Sequence, residues 1–474
     1  MNVVRHDLVV IGAGPGGYVA ALRAAQLGMN VACVEREEML GGTCLRVGCI
    51  PSKALLESSE RYHTTVRDLE DHGVKVSGVE LDVAALMKRK DKIVKGLTGG
   101  IAMLFKKAGV TRYAGQARLC TIADAAPGCA GAAVVVTAAD GTQTEVRADR
   151  ILIATGSMPS ALRGIEFDND RIGTSTQALS WPEVPAELII IGAGIIGLEL
   201  GSVWSRLGAK VTVLEYLPRI LPGIDADIAD KAYKVFRRQG LKFRLETRVE
   251  SARFNGEKCE VRITGESEPL LADRVLVATG RRPETEGLGL EDAGVQVDGR
   301  GFILVNQDYL TSADGIFAIG DVIGGLMLAH KASEEAVACV ERMNGHDAHV
   351  NYGVIPGICY TDPEVAGVGR TEDELVAAGV SFRKGVYLYR ANGRAQSIAR
   401  TDGEVKILAD AETDKILGVH ILGAHAGELI AEAAIAMVGG MTVTALADAC
   451  HAHPTLSEIL KEAALACCGK PLHA

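Results

Sequence analysis

A glycine-rich motif occurs twice in the chain, and each copy follows an apolar run of strand length. Residues 8–17 read LVVIGAGPGG, and residues 188–197 read LIIIGAGIIG. Each copy precedes an Ala- and Leu-rich stretch and a second apolar run that ends in an acid, Glu35 or Glu215. The first glycine lies 23 residues before that acid in both copies (35 − 12 and 215 − 192). This order of strand, G-x-G-x-x-G, helix and acid-tipped strand is typical of dinucleotide-binding α/β units, so two such Rossmann-like units are predicted.

The stereochemistry of the motif assigns each residue type a task. The first glycine would make the tight turn, the second would let the backbone approach a pyrophosphate, and the third would let the helix pack on the strand. The pyrophosphate would lie at the helix N-terminus, where free N–H groups and the helix dipole favour an anion. Each glutamate would accept hydrogen bonds from ribose hydroxyls and repel a 2′-phosphate. Two glycine turns in ordinary α/β units are the alternative. The residues are Gly12, Gly14, Gly17 and Glu35 in the first copy and Gly192, Gly194, Gly197 and Glu215 in the second.

A second repeat indicates that the two units differ in length. Residues 151–157 (ILIATGS) resemble residues 275–281 (VLVATGR). The step from the motif's first glycine to the Thr-Gly pair is 144 residues in the first copy (156 − 12) and 88 in the second (280 − 192). The first copy therefore carries 56 extra residues (144 − 88), and much of this excess follows Glu35.

Hydrophobic periodicity and turn residues predict the remaining elements. Helices are expected over residues 51–69 and 83–107, and a β-meander is expected over residues 128–150, with Asp140-Gly141 as a hairpin turn. A further unit begins near residue 351. Its predicted strands are 383–389, 403–409 and 416–422, and its predicted helices are 426–438 and 457–467.

Composition excludes several classes of function. The chain has 474 residues, with 50 Lys and Arg against 60 Asp and Glu, a formal net charge of −10, and 4% aromatic residues. This balance argues against binding to nucleic acid or to an anionic membrane surface. No stretch approaches the roughly 18 apolar residues of a membrane span, and the N-terminus enters a strand without a signal peptide. The eleven cysteines are scattered, so a reducing, cytoplasmic location is expected.

Two of the cysteines lie in the segment GGTCLRVGCIPSK, residues 41–53. On a regular helix, the Cα atoms of Cys44 and Cys49 would be about 8–9 Å apart, beyond the roughly 7 Å limit for a disulfide. A bridge therefore needs distorted backbone, which Gly48 and Pro51 make plausible. A small strained loop suits a disulfide that opens and closes. The alternatives are two unrelated buried thiols or a metal site, although a metal needs further ligands and His63 is the only histidine within twenty residues.

This segment resembles the redox signature of the flavin disulfide reductase family, and in particular of its dihydrolipoamide dehydrogenase branch. Glutathione and trypanothione reductases usually read Val-Pro-Lys-Lys at its end. The resemblance covers essentially the whole chain. It implies FAD bound by the first glycine motif and NAD bound by the second. It also implies that Cys49 lies against the flavin and that Cys44 exchanges with substrate. Lys53 would lie beside the flavin N5, paired with Glu199.

Two later motifs fit the same family. An apolar strand ends in Gly-Asp at residues 320–321, and the resemblance implies that Asp321 holds the flavin ribityl chain; a helix cap is the alternative. The sequence HAHPTLSE, residues 451–458, resembles the family's His-Pro-Thr-x-x-Glu. This implies His453 as a base and Glu458 as the carboxylate that fixes its tautomer and favours the imidazolium. A surface histidine before a helix is the alternative.

The resemblance also supplies further cofactor-binding residues and a domain division. The FAD-binding domain would span 1–157, the NAD-binding domain 158–284, a central domain 285–350, and an α+β dimerisation domain 351–474. The further cofactor-binding residues are Gly42, Thr43, Gly115, Thr155, Gly156, Ser157, Val249, Gly280, Met327, Leu328, Ala329 and His330.

The implied activity is the FAD-dependent oxidation of protein-bound dihydrolipoamide to lipoamide, with reduction of NAD to NADH. The implied partners are a lipoyl-bearing protein of a 2-oxoacid dehydrogenase complex or of the glycine cleavage system and a second copy of the chain, whose histidine completes the site. No nucleic acid, membrane or metal is expected. The alternatives are a mercuric or low-molecular-weight disulfide reductase and a non-catalytic flavoprotein subunit of a lipoyl complex.

Three features depart from, or add to, the family pattern. Mercuric reductase carries a C-terminal cysteine pair, as this chain does at Cys467-Cys468, but it lacks the His-Pro-Thr-x-x-Glu dyad, so the pair is interpreted as incidental or buried. Leu326 stands where Pro is frequent. Arg46 stands where Asn is common, beside Cys44, and would either lower the thiol pKa below about 8.5 or alter contacts with a partner.

Overall fold

The computed structural model describes residues 2–122 and 130–473. The chain forms two compact units, each built from three segments. The first unit comprises residues 1–54, 85–160 and 280–350, and the second comprises residues 55–84, 161–279 and 351–474. Each unit contains one of the two glycine motifs. The division into four domains is finer than this and stays a prediction.

The strands are listed here in chain order: β1 Asn2–Ile11, β2 Val31–Glu35, β3 Thr111–Ala114, β4 Gln116–Thr121, β5 Ala132–Thr137, β6 Gln143–Ile153, β7 Ser157–Pro159, β8 Ile172–Gly173, β9 Glu187–Ile191, β10 Lys210–Leu214, β11 Lys242–Arg244, β12 Val249–Phe254, β13 Cys259–Ile263, β14 Leu270–Ala272, β15 Arg274–Val277, β16 Arg281–Pro283, β17 Ile316–Ala318, β18 Gly357–Cys359, β19 Glu364–Gly369, β20 Phe382–Leu388, β21 Glu404–Asp410 and β22 Ile416–Gly423.

The α-helices are α1 Pro15–Gln26, α2 Gly42–Val47, α3 Cys49–Arg67, α4 Val83–Ala108, α5 Ser175–Ala178, α6 Ile195–Arg206, α7 Ala226–Arg238, α8 Ala329–Met343, α9 Glu372–Ala377, α10 Gly393–Ser397, α11 Ala426–Val438, α12 Val443–Asp448 and α13 Glu458–Cys467. Short 3₁₀ turns lie at Leu69–His72, Gly320–Ile323, Tyr352–Val354 and Tyr389–Ala391. The helices predicted over 51–69 and 83–107 are confirmed as α3 and α4.

The first unit is built on a mixed sheet in the order β3-β2-β1-β6-β5-β4, with β17 beside β6. Strands β1, β2, β3, β6 and β17 pair in parallel, whereas β4, β5 and β6 pair antiparallel. The predicted hairpin at Asp140-Gly141 is confirmed as the β5–β6 connection; residues 128–129 of the predicted meander lie outside the described residues.

The apolar end of strand β1, residues 8–11, serves two hydrophobic cores because successive side chains of a strand point to opposite faces. Leu8 and Val10 pack with Ala20 of α1 and residues of α8, whereas Val9 and Ile11 join the core on the β4–β5 side. A strand covered on both faces reads as a continuous hydrophobic run, which explains the sequence before the first glycine motif.

The second unit contains the second glycine motif and the C-terminal elements. Its parallel sheet has the order β11-β10-β9-β15-β8, and a three-stranded antiparallel sheet, β12-β13-β14, packs on one face of it. The C-terminal antiparallel sheet has the order β18-β19-β22-β21-β20, and α11 and α13 pack on it. The predicted α/β fold class with a C-terminal α+β part is confirmed. In the described part of the chain, no helix has the length and apolar character that a bilayer crossing requires.

Candidate active site

The two glycine motifs adopt nearly the same geometry. Gly12 has φ +98° and Gly192 has φ +108°, and a Cβ on either would lie 2.5 Å from the carbonyl oxygen of Ala154 or Ala278, the residue that follows β6 or β15. These carbonyls belong to the second sequence repeat, Ala-Thr-Gly, which explains why the two repeats occur together. Only glycine fits such a turn.

The third glycine of each motif has no room for a side chain, whereas the second glycine of each motif has room for one. A Cβ on Gly17 would lie 1.8 Å from the carbonyl oxygen of Gly12, and one on Gly197 would lie 2.2 Å from that of Gly192. By contrast, the nearest atom to a Cβ on Gly14 would be 3.8 Å away, and none lies within 4 Å at Gly194. The open backbone at the start of α1 and α6 fits a bound pyrophosphate in each unit.

The two acids that end β2 and β10 are held in the same way. Glu35 Oε2 accepts the Ala13 N–H at 2.8 Å, and its Oε1 accepts the Glu37 N–H at 3.0 Å. Glu215 repeats this pattern with the N–H groups of Ala193 at 2.7 Å and Leu217 at 2.8 Å. Both side chains are more than nine-tenths buried. Each oxygen keeps a second lone pair for a ligand hydroxyl, so the geometry fits the ribose contacts expected from the sequence.

The redox segment is a broken helix. α2 ends at Val47, Gly48 leaves the helical conformation (φ −141°, ψ −115°), and α3 begins at Cys49. This break brings the Cα atoms of Cys44 and Cys49 to 4.7 Å, and the two form a disulfide. The expected backbone distortion is confirmed, and the alternative of two unrelated thiols is wrong. A Cβ on Gly48 would lie 2.8 Å from the carbonyl oxygen of Thr43, so the break requires a glycine.

The predicted pair of Lys53 and Glu199 involves residues of different units. Lys53 follows Cys49 by one turn of α3, so both lie on the same face of that helix. In the second unit, Glu199 of α6 is 3% exposed and its Oε1 accepts the Tyr360 N–H at 3.0 Å. Their pairing, and the flavin contact of Lys53, stay predictions.

Asp321 lies in the 3₁₀ turn that follows β17, where the chain leaves the carboxyl end of the sheet. Ser157 Oγ donates to Asp321 Oδ2 at 2.5 Å, and Arg281 Nε donates to Ser157 Oγ at 2.7 Å. Burial lowers the pKa of Arg281, and the nearby Asp321 carboxylate opposes this shift. The cap of the turn is Ile319, so the helix-cap interpretation of Asp321 is wrong.

A buried ion pair that sequence reasoning missed holds the Asp321 turn. Lys331 Nζ lies 2.9 Å from Glu335 Oε1 on α8, with side chains 3% and 0% exposed. Lys331 donates to the carbonyl oxygens of Gly320 and Gly324, and Glu335 Oε2 accepts the Gly320 N–H at 2.8 Å. The Lys-x-x-x-Glu spacing, which places both side chains on one helix face, is the signal that could have identified the pair.

The remaining predicted cofactor residues of the first unit lie around these elements. The Gly115 N–H donates to the Glu35 carbonyl oxygen, and Thr155 Oγ1 donates to the Glu284 carbonyl oxygen at 2.7 Å. A Cβ on Gly42, which precedes Thr43 at the start of α2, would lie 2.4 Å from Gly14 Cα. Gly156, Gly280, Met327, Leu328, Ala329 and His330 lie in the turns after β6 and β15 and at the start of α8. In the second unit, Val249 begins β12.

His453 and Glu458 form a dyad at the start of α13. His453 Nδ1 lies 3.0 Å from Glu458 Oε1, and Glu458 Oε2 accepts the Thr455 N–H at 2.8 Å. Burial opposes ionisation of Glu458, but the hydrogen bonds from Thr455 and His453 outweigh it and lower the pKa of this carboxyl. The His453 side chain is 79% exposed. Because Nδ1 faces the carboxylate, Nε2 is the ring nitrogen available to a substrate.

The loop that carries His453 is anchored by groups the sequence analysis did not identify. His451 Nε2 lies 2.7 Å from Glu432 Oε1, and Asn392 Nδ2 donates to the Thr455 carbonyl oxygen at 3.0 Å. Beside the dyad lies a cavity of about 510 Å³, with an apolar wall that includes Leu429 and Leu456. Its polar lining includes Arg394, Arg400, His425 and Glu428.

Comparisons with known proteins agree with this geometry. Residues 6–336 match the family described as pyridine nucleotide-disulphide oxidoreductase. Residues 355–464 match the family described as pyridine nucleotide-disulphide oxidoreductase, dimerisation domain.

Two curated relatives match almost end to end. The mitochondrial dihydrolipoyl dehydrogenase of Pisum sativum is 48% identical, over 99% of this chain and 92% of the relative. Dihydrolipoyl dehydrogenase 3 of Pseudomonas aeruginosa is 50% identical, over 97% of each chain. Among solved structures, the Cu(II) complex of the HOCl-induced flavoprotein disulfide reductase RclA from Escherichia coli is similar with a TM-score of 0.86 at 28% identity, covering 98% of this chain and 99% of that one.

Proposed function

Since the chain belongs to the pyridine nucleotide-disulphide oxidoreductase family, we propose that it oxidises protein-bound dihydrolipoamide to lipoamide and reduces NAD to NADH. The observation that carries the proposal is the His453–Glu458 dyad in a chain that also holds the Cys44–Cys49 disulfide. A dithiol substrate must lose a proton before it can attack a disulfide, and the dyad supplies the base. The relatives named dihydrolipoyl dehydrogenase support the same substrate.

The residues of the chain carry the thiol chemistry. His453 Nε2 takes the proton of the first substrate thiol, and Glu458 stabilises the imidazolium that forms. The thiolate attacks Cys44 Sγ, the Cys44–Cys49 bond breaks, and Cys49 leaves as a thiolate. The second substrate thiol attacks the mixed disulfide and gives its proton to the Cys44 sulfur. Lipoamide leaves with its own disulfide, and two electrons and two protons remain on the enzyme.

The two cofactors have separate places in the chain. FAD, held by the first glycine motif, supplies the chemistry that passes the electron pair from the reduced cysteines to NAD. Glu35 and Glu215 hold the two ribose sites, and Asp321 with Ser157 offers polar groups to the flavin side chain. Lys53, Thr43 and the segment 327–330 are proposed to border the flavin.

We further propose a homodimer in which His453 acts in the site of the partner chain. The match of residues 355–464 to a dimerisation domain supports the dimer. The test is subunit exchange between inactive Cys44→Ser and His453→Gln chains. A mixed dimer then holds one doubly altered site and one intact site, so activity returns. No recovery despite proven exchange means that the histidine serves its own chain.

A lipoyl-bearing protein of a 2-oxoacid dehydrogenase complex or of the glycine cleavage system is the proposed protein partner, and the cytoplasm is the proposed location. A reducing compartment is supported by the described cysteines outside the Cys44–Cys49 pair, none of which forms a disulfide. Burial raises the pKa of Cys467 to about 11, so this thiol stays protonated near neutral pH and is a poor nucleophile.

The test is a steady-state assay of the purified flavoprotein. Dihydrolipoamide, oxidised glutathione and Hg(II) are compared as substrates, each with the matching redox form of NAD or NADP. We expect turnover with dihydrolipoamide and NAD to exceed the other combinations. Faster turnover with glutathione disulfide or Hg(II) would overturn the proposal.

A further inference from the structure

A cavity of about 510 Å³ lies at the C-terminal end of α6, in the second unit, and the C-terminal turns of α3 and α7 also border it. α6 begins beside the second glycine motif, and its 12 residues span about 18 Å. The cavity is therefore separate from the expected NAD site at the other end of this helix. None of the residues assigned to the proposed reaction lines it. Its volume is in the usual range for small-molecule sites, about 300–1,000 Å³.

Polar side chains from two helices face this cavity without partners of their own. Ser202 and Ser205 lie three residues apart on α6, and His63 and Arg67 lie four residues apart on α3, so each pair shares one helix face. In the described part of the chain, none of the four side chains forms a hydrogen bond or a salt bridge to another residue. Ser202 is only 5% exposed, yet its hydroxyl is not enclosed by protein atoms. This buried hydroxyl is therefore available to a ligand in the cavity.

The lining carries more positive than negative charge. Its charged side chains belong to three arginines and one acid, Arg67, Arg206, Arg238 and Asp362. The acid is already engaged, since Asp362 Oδ2 lies 3.1 Å from Arg400 Nη1. Burial lowers the pKa of His63, so this histidine is mainly neutral near pH 7 and offers a hydrogen-bonding ring rather than a charge. An anion is therefore the ligand that the lining favours.

The three arginines differ in how far their charge is compensated. Arg206 Nη2 lies 3.2 Å from Glu60 Oε2, but burial and the neighbouring Asp362 raise the pKa of Glu60 to about 7, so this carboxyl is only partly ionised near neutral pH. Arg238 forms an exposed pair with Asp402 at 2.8 Å. Arg67 has no carboxylate partner in the described residues. Its guanidinium is the one most available to an anionic ligand, and its planar fork suits the oxygens of a phosphate group.

The remaining lining is apolar or aromatic and suits the organic part of a ligand. These residues are Tyr62, Val66, Leu207 and Leu241. We propose that the cavity binds a phosphate ester of mononucleotide size, with its phosphate at Arg67 and the hydroxyls of Ser202 and Ser205 and its organic part against the apolar residues. This site is additional to the proposed reaction and does not depend on it.

The experiment measures binding of uridine 5′-monophosphate to the FAD-loaded protein by calorimetry, in the presence of saturating NAD. NAD occupies the second glycine motif, so a nucleotide can no longer bind there. Uridine and inorganic phosphate are the comparison ligands. We expect the monophosphate to bind at least roughly 10-fold more tightly than either, because only the monophosphate contacts both the polar and the apolar side of the cavity.

Substitutions then locate the bound ligand. Arg67→Met should weaken binding roughly 10- to 100-fold, through the loss of a charged hydrogen bond, and Ser202→Ala roughly 2- to 10-fold, through the loss of a neutral one. Arg61→Met is the matched control, because Arg61 lies on the same helix, pairs with Glu57 and is exposed, and it does not line the cavity. This variant should bind the monophosphate as the unaltered protein does.

Four results would overturn the inference. They are no binding to the unaltered protein in calorimetry or equilibrium dialysis, equal affinity for the monophosphate and either comparison ligand, equal weakening in Arg67→Met and Arg61→Met, and weakening in Glu215→Ala but not in Arg67→Met. The last result would place the nucleotide at the second glycine motif. Circular dichroism checks the folding of each variant, and Ser202→Ala decides if Arg67→Met does not fold.

Discussion

Nδ1 of His453 lies 3.0 Å from Oε1 of Glu458, and the second oxygen of the same carboxylate accepts a backbone N–H from Thr455. The carboxylate is therefore held at both oxygens, and it fixes one ring nitrogen of a histidine that is otherwise exposed. This arrangement leaves Nε2 to act as a base and gives the imidazolium a counter-charge.

The dyad predicts a selective loss of activity. His453→Gln removes the base, and loss of a general base costs roughly 10²- to 10⁴-fold, so lipoamide turnover should fall by this factor. Electron transfer from NADH to an artificial acceptor should persist, because it bypasses the thiol step. His451→Gln is the matched control, since His451 pairs with Glu432 instead. An equal loss in both variants would show that the loop, not the base, is what matters.

The two redox cysteines should be spectroscopically unequal. In Cys44→Ser, the free Cys49 thiolate is expected to lie against the oxidised flavin and should then produce a long-wavelength charge-transfer band. Cys49→Ser should lack this band, because its remaining sulfur, that of Cys44, is the one proposed to face the substrate. Absorbance spectra of the two purified variants decide the matter. Identical spectra would mean that the flavin-facing sulfur is wrongly assigned.

Glu215 should make the enzyme selective for NAD. A 2′-phosphate placed against this buried carboxylate would meet repulsion on the order of 2 kcal/mol or more. The ratio of kcat/KM for NAD over NADP should therefore be at least roughly 30. Glu215→Ala should lower this ratio, whereas Glu35→Ala, the equivalent change in the first motif, should leave it unchanged and weaken FAD binding. If Glu35→Ala instead changed the NAD-over-NADP ratio, the first glycine motif would be the NAD site and the second the FAD site.

Replacing only the lysine of the buried Lys331–Glu335 pair should lower the free energy of unfolding substantially. Lys331→Met removes the lysine partner of the fully buried Glu335 carboxylate, and breaking a buried ion pair from one side typically costs about 3–5 kcal/mol. Thermal unfolding of the holoenzyme measures it. Lys234→Met is the control, because the Lys234–Asp230 pair is exposed and should contribute less than about 1 kcal/mol. Similar melting temperatures for the two variants would contradict the positioning role.

The stability of the second unit should depend on pH through Glu60. Burial and the neighbouring Asp362 raise the pKa of Glu60 to about 7, although Arg206 and Arg400 oppose this. A carboxyl with a raised folded pKa binds a proton on folding, so its contribution is present below its ordinary pKa and is lost as pH rises to about 7.

Glu60→Gln cannot lose that proton, so its stability relative to the unaltered protein should increase between pH 5 and pH 7.5, by about 2 kcal/mol. Melting temperatures across this range provide the measurement. Glu57→Gln, on the same helix but at an exposed ion pair with Arg61, should show no such trend. A parallel trend in both variants would exclude Glu60 as its origin.

Local sequence patterns determined the parts of the site whose geometry is dictated within a few residues. The glycine turns follow from steric exclusion, since a Cβ at Gly12 or Gly17 would overlap a carbonyl oxygen. The His453–Glu458 contact joins residues five positions apart, on either side of the start of α13. The Cys44–Cys49 bridge required a helix break, and Gly48 in the sequence indicates where that break occurs. The apolar runs before each motif likewise specified buried parallel strands.

Only the tertiary structure decided the contacts made by residues far apart in the chain. Ser157 and Asp321 are 164 positions apart, yet their side chains are hydrogen-bonded. Arg46 stands beside Cys44 in the sequence, but the fold directs it to Glu37. The Lys331–Glu335 pair on α8 holds the turn at residues 320–324. Hydrophobic periodicity does not indicate that this turn lies close to α8. The physical reason is that turn and helix stereochemistry act over a few residues, whereas the partner of a long charged side chain depends on which segments the hydrophobic cores pack together.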